Sequence, residues 1–189
     1  MKEYNLLSDY SQKKAKRFVG RGIRTIEHRI IASERELSFF DGDRNYGYGG
    51  LKYDGRWNNV AKKIIKKFNL KNNSRILQIA SEKGFLIHEI KKINPKINIL
   101  GVETSKYAIS KTIKPVKKFI KKVTSFSDLS SINGKFNCVI ALGAVYIHTL
   151  SDAIQLLKNI QRLSGGKSFI TLASYKTEKD YWLFKDWTV

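Results

Sequence analysis

Chemistry in this chain has few places to sit. The three histidines, His28, His88 and His148, are scattered without metal-ligand spacing, and the one cysteine, Cys138, lies inside the apolar run "FNCVIAL". No serine–histidine–acid arrangement and no phosphate-binding Gly-Lys-Ser/Thr loop is present. What remains is a turn. In "ILQIASEKGF", residues 76–85, a continuous apolar stretch runs into a short loop and meets Gly84 before a helix-like segment. Loops of this kind receive nucleotides beyond the carboxyl ends of parallel strands. About twenty residues further on, Glu103 ends a second apolar stretch, where an acidic side chain accepts ribose hydroxyls. A third junction, "TSFSDL", places Ser125, Phe126 and Asp128 where backbone amides and an aromatic ring hold a flat base. His148 follows a fourth apolar stretch at the same edge and is the candidate base, in a site expected to hold no metal.

These residues need a scaffold, and the pattern supplies one. Apolar runs "RILQIA", "INILGVE", "KKFIKKV", "FNCVIALG" and "KSFITLAS" alternate with the helical segments "FLIHEIKKI", "SKYAISKTI" and "SDAIQLLKNIQRLSGG". Strands are expected near 75–79, 97–102, 119–123, 137–142 and 168–173. Alternation at this spacing predicts an α/β fold with a doubly wound, mostly parallel sheet. Ser105 and Ser151 are the expected N-caps of two of the helices. Ahead of the sheet, Trp57, Val60, Ala61, Ile64, Ile65 and Phe68 recur at helical spacing, opposite Lys62, Lys63, Lys66 and Lys67. The expected organisation is a polar, helix-compatible segment over 1–40 and an α/β domain over 41–189. That domain divides into a loop at 41–57, a helix at 58–69 and the sheet core at 74–175. The loop, "DGDRNYGYGGLKYDGRW", is rich in glycine and tyrosine, and Tyr46, Tyr48, Tyr53 and Arg56 are expected to close the pocket.

Together these segments resemble the class I S-adenosylmethionine-dependent methyltransferases, over roughly residues 41–175. The likeness is strongest to a bacterial branch with a Tyr/Gly-rich loop before the first helix. The family's first motif reads roughly Leu-Asp-Ile-Gly-Cys-Gly-x-Gly. Here it becomes Leu77-Gln78-Ile79-Ala80-Ser81-Glu82-Lys83-Gly84, so a single glycine survives. The resemblance implies that S-adenosylmethionine is the cofactor, with Gln78, Ala80, Ser81, Glu82 and Gly84 at its methionyl end. It places Glu103 at the ribose, and Ser125 and Phe126 at the adenine. Ala80 and Glu82 stand where glycines give free access to positive φ. Glu82 adds a negative charge, for which Lys83 is the expected compensator, and cofactor binding is expected to be weak. Members of the family continue into an antiparallel strand hairpin, so the sheet is expected to stop after its fifth strand.

Composition bounds the partners. There are 36 basic against 16 acidic residues, a net charge of +20. Of the basic residues 27 are Lys and 9 Arg, alongside 22 Ile and 12 Asn. A/T-rich codons explain that profile without a polyanionic partner, and nucleic-acid readers favour Arg, so nucleic acid is the less favoured partner. No run approaches the ~18 apolar residues of a membrane span. Together with the single cysteine, this gives a cytoplasmic expectation. Methyl transfer to a small or sugar-linked nucleophile is the expected function. The rivals are a catalytically inactive, methyltransferase-like binding protein and a basic RNA-binding protein or RNA methyltransferase. The aromatics Tyr181, Trp182, Phe184 and Trp187 form a candidate homo- or hetero-oligomer contact.

Overall fold

A computed structural model describes residues 2–10 and 24–187, the side chains of Asp186 and Trp187 excepted. Most of the basic stretch 13–24, and the ring of Trp187, thus lie outside the described residues. Five strands form the sheet: β1 (Arg75–Ile79), β2 (Asn98–Glu103), β3 (Ile120–Lys122), β4 (Cys138–Ala141) and β5 (Ser168–Ile170). All are parallel, in the order β3-β2-β1-β4-β5. This is the doubly wound α/β arrangement that the alternating pattern predicts. The central strand is apolar on both sides because both sides are covered: Ile76, Leu77 and Ile79 are fully buried.

Strand alternation divides the core in two. Ile76, Ile99 and Ile140 face the helices α3 (Trp57–Lys67) and α4 (Phe85–Ile93), packing against Val60, Ile64, Leu86, Ile87 and Ile90. Leu77, Val102 and Val139 face the other way, against Leu156, Ile160 and Leu163 of α6 (Leu150–Leu163) and the connection carrying Phe126, Leu129 and Phe136. Between β2 and β3 come a short helix, α5 (Lys106–Ser110), and a 3-10 helix, Lys114–Phe119. Ser105 caps α5 as expected, its hydroxyl accepting from the Ala108 amide at 3.0 Å. The cap of α6 is Thr149, not Ser151, and it accepts from the Asp152 amide at 3.3 Å. The reason lies in the backbone: Thr149 is extended, so Ser151 already belongs to the first helical turn.

The N-terminal part lies over the carboxyl ends of the strands. Helices α1 (Ile26–Ser33) and α2 (Leu37–Asp41) join the Tyr/Gly-rich loop in a small cluster around Phe39, Phe40, Ala108 and Tyr107, and α2 runs across residue 40. Two polar clamps hold that loop down. The Lys83 ammonium donates to both Asp41 oxygens at 2.7 Å and to the Leu51 carbonyl at 2.8 Å. Glu89, fully buried on α4, accepts from Tyr53 and from Asn58 at 2.6 Å. The last helix is α7 (Glu178–Trp187).

Candidate functional site

The strand order reverses between β1 and β4, and the crevice beyond that switch point is where open α/β sheets take their ligands. A cavity of about 960 Å³ opens there, within the range of small-molecule sites. Gln78 lines it from β1, Ala80 and Glu82 from the turn after β1, Thr104 from the end of β2, Ser125 and Phe126 from the loop after β3, and Tyr146 and His148 from the loop after β4. Tyr10, Arg35, Tyr48 and Trp57 enclose the N-terminal side, and Leu183 of α7 touches the rim.

The turn after β1 keeps the left-handed conformation without its glycines. Ala80 has φ +55°, Glu82 +52° and Gly84 +79°. Gly84 is also crowded: a Cβ there would stand 3.0 Å from Ile120 Cδ1, which would have to give way. At Ala80 and Glu82 the turn carries strain of roughly 1–2 kcal/mol per residue. Hydrogen bonds oppose it. The Ser81 amide donates to the Val102 carbonyl at 3.1 Å, and the Glu82 amide to Glu103 Oε2 at 2.7 Å.

Glu103 is therefore occupied. Its carboxylate is fully buried, and Oε1 accepts from the amides of Thr104 at 2.9 Å and Ser105 at 3.1 Å. The sequence puts this residue at a ribose, whereas the structure gives its oxygens to three backbone amides and leaves it off the cavity wall. Gln78 stands in the opposite condition. It is 4% exposed, lines the cavity, and its Oε1 has no hydrogen-bond partner. Ser81, also buried, leaves its Oγ unpaired.

Glu82 turns its carboxylate to Arg35 Nη2 at 3.2 Å and to the Tyr48 hydroxyl at 2.7 Å. Burial pushes its pKa up, while Arg35 and Tyr48 pull it back. Tyr48 is 37% exposed as a residue, yet desolvation at its hydroxyl, reinforced by the Glu82 charge, raises the phenol above its usual value. The compensator is Arg35 and not Lys83, whose ammonium is spent on Asp41 on the far side of the turn. Arg35 had no signal in the sequence. It sits between α1 and α2 at φ +51°, its guanidinium 4.5 Å from the Phe39 ring centroid.

Of the four residues expected to close the pocket, Tyr48 alone lines the cavity. Tyr46 packs edge-on against His28, Tyr53 against Phe85 and His88, and Arg56 binds Asp54 beneath Tyr10. On the opposite wall Ser125 is tied to Ser127 at 2.8 Å. The Phe126 ring meets His148 edge-on, centroids 6.0 Å apart. Burial lowers the His148 pKa against the pull of Asp152, and its Nε2 has no partner.

The five parallel strands, their order and the crevice at the switch point are those of a Rossmann-like methyltransferase fold. The glycopeptide N-methyltransferase MtfA complexed with sinefungin superposes with a TM-score of 0.55 at 16% identity, over 82% of this chain and 63% of that one. MtfA by itself gives 0.52 at 15%, over 67% and 56%. PKMT2 from Rickettsia typhi in complex with AdoHcy gives 0.44 at 23%, over 49% of this chain and 19% of that one. The chain thus spans less than two thirds of the length of each of these proteins. Neither a protein-family model nor a curated protein matches it. No helix among the described residues is long and apolar enough to cross a membrane.

Proposed function

We propose that this chain is an S-adenosylmethionine-dependent methyltransferase acting on a small or sugar-linked nucleophile. The observation that carries the reading is Gln78. Its side chain lines a roomy cavity, and its buried carbonyl oxygen has no donor within the protein, which is costly unless a partner supplies one. The fit extends along the cavity: Ala80, Ser81, Glu82 and Gly84 shape the turn for the methionyl end, and Ser125 and Phe126 offer a polar edge and an aromatic ring to the adenine. When bound, the cofactor supplies an electrophilic methyl group on sulfur. His148, kept neutral by its lowered pKa, accepts the proton of the nucleophile. Arg35 and Tyr48 hold the Glu82 charge away from the cofactor carboxylate, and the walls align the reactants while excluding water.

Calorimetric titration with S-adenosylhomocysteine tests the binding step. Saturable binding that weakens about tenfold in Phe126→Leu supports it, and no heat up to about 1 mM refutes it. One observation favours a second reading, an inactive binding protein: Glu103 is fully buried off the cavity wall, its carboxylate turned to three backbone amides. Binding with no transfer of labelled methyl to any acceptor would favour that reading.

A further inference from the structure

Residues 55–127 contain eighteen Lys or Arg and three acids, Glu82, Glu89 and Glu103. The fold withdraws all three. Glu89 and Glu103 are fully buried, and Glu82 faces the cavity paired with Arg35. Helices α3 and α4 and the 3-10 helix pack on one face of the sheet. Their outer surface therefore presents lysines with no exposed carboxylate of its own. Lys62 and Lys66 on α3, Lys114, Lys117 and Lys118 on the 3-10 helix, and Lys122 on edge strand β3 are all exposed. Among the described residues, carboxylates reach this surface from outside at Asp9, 2.8 Å from Lys63, and at Asp54, paired with Arg56 at the start of α3.

The ammonium groups crowd across element boundaries. Lys91 from α4 and Lys118 from the 3-10 helix both lie over the half-buried Phe119 ring, at 5.0 and 5.3 Å from its centroid. Burial first, and the Lys118 charge second, push the Lys91 pKa down. The Lys91 ammonium is held by the Pro95 and Ile97 carbonyls, so Lys118 is the charge of this pair left to attract an anion. A/T-rich codons raise lysine over arginine along a whole chain, but they do not decide which face loses its acids. The α6 side keeps Asp128 and Asp152.

We propose that this face binds the phosphate backbone of single-stranded RNA without reading its sequence. Lysines act as point charges on phosphate and lack the planar fork that reads base edges. Tyr53, 38% exposed beside Lys92 at the edge of α4, offers an aromatic ring to an unpaired base, and unpaired strands in cells are chiefly RNA. A membrane-docking face would carry apolar anchors among its lysines. Here Ile93, at the end of α4, is the one exposed aliphatic side chain among the described residues of these three helices, and a larger apolar group lies elsewhere, at Tyr146, Ile147, Leu150, Ile154 and Leu157.

Fluorescence anisotropy with a labelled oligouridylate, from about 50 to about 200 mM KCl, tests the proposal on the full chain. Each phosphate contact on a single strand contributes a slope of about 0.7 in log affinity against log salt. Replacing Lys114, Lys117 and Lys118 by Glu should lower that slope by about 2, a change of roughly 16-fold across the range. The same charge change at Lys158, Lys167 and Lys176, exposed elsewhere, should leave most of the slope in place. The pair Lys117→Ala and Lys118→Ala, with thermal unfolding of every variant, separates lost contacts from lost folding. No binding at the lowest salt overturns the proposal, as do equal losses in both triple variants. So does tighter binding of a DNA oligomer, or binding of phosphatidylserine vesicles in place of RNA. None of these readouts depends on the cofactor cavity, so this proposal and the methyltransferase reading fail separately.

Discussion

Replacing Arg35 by Gln isolates the pair that makes the altered turn tolerable. The guanidinium stands 3.2 Å from the Glu82 carboxylate, with side chains 15% and 20% exposed. At an effective dielectric near 20 the gross attraction is about 5 kcal/mol. Partial exposure and the interaction with Tyr48 that survives reduce the loss, and about 2–3 kcal/mol is expected at pH 7. A smaller part, about 0.5–1 kcal/mol from the guanidinium over Phe39, does not depend on pH. The rest does. Glu82 has a folded-state pKa above its ordinary 4.5, raised by burial and by Glu103 against Arg35 and Tyr48. Its contribution is therefore present below the unfolded value and is lost as pH rises through the folded one. Without Arg35 the folded value climbs further and more stability is lost on the way to neutrality. Urea unfolding of wild type and variant between about pH 4 and about pH 7 should show the difference growing with pH. In a Glu82→Gln background the pH-dependent part should vanish. A penalty constant within about 0.5 kcal/mol across that range would refute the account of the turn.

Other expectations are simpler. Gly84→Ala forces a left-handed φ on a residue whose Cβ meets Val116 and Ile120 at 3.1 and 3.0 Å, and should cost about 2 kcal/mol, or roughly 4–8 °C in Tm. Ala80→Gly relieves similar strain but loses a buried methyl worth about 0.8 kcal/mol and loosens the unfolded chain, so its Tm should stay within about 2 °C of wild type. Glu89→Gln weakens the contacts to Tyr53 and Asn58 and should cost about 1–3 kcal/mol at neutral pH. Because these bonds help hold the Glu89 pKa below 4.5, that cost should fade in acid as the wild-type carboxyl protonates. If methyl transfer is observed, its loss on acidification should be centred below the ordinary imidazole range, since burial lowers the His148 pKa, and His148→Gln should slow it about 100-fold or more.

The sheet was legible because its signal is local. Continuous apolar runs bounded by polar turns can only be buried parallel strands here, and all five appear close to their expected positions. Side-chain direction inside loops was not legible. Lys83 and Glu82 are neighbours, yet one reaches Asp41 and the other Arg35, because the left-handed residue between strand and helix sends them apart. The same holds for the Tyr/Gly-rich loop. Its tyrosines look alike in sequence, but Tyr53 is claimed by the buried Glu89 and Tyr46 by His28, leaving Tyr48 to the cavity. Arg35 escaped notice because a pairing across forty-seven residues leaves no periodic trace.

Glu103 is fully buried off the cavity wall with the Glu82 amide bonded to it, so the turn stands between this acceptor and any diol-bearing ligand. A ribose that reaches Glu103 must first move that turn, so the measured affinity is the intrinsic one diminished by the work of releasing it. Release would also free Glu82 to move away from Arg35, coupling occupancy of the ribose position to the charge at the other end of the site. Amide exchange reads this directly. The Glu82 amide should be protected in the free protein and lose protection when a diol ligand binds. Unchanged protection would mean that the ligand is held without Glu103.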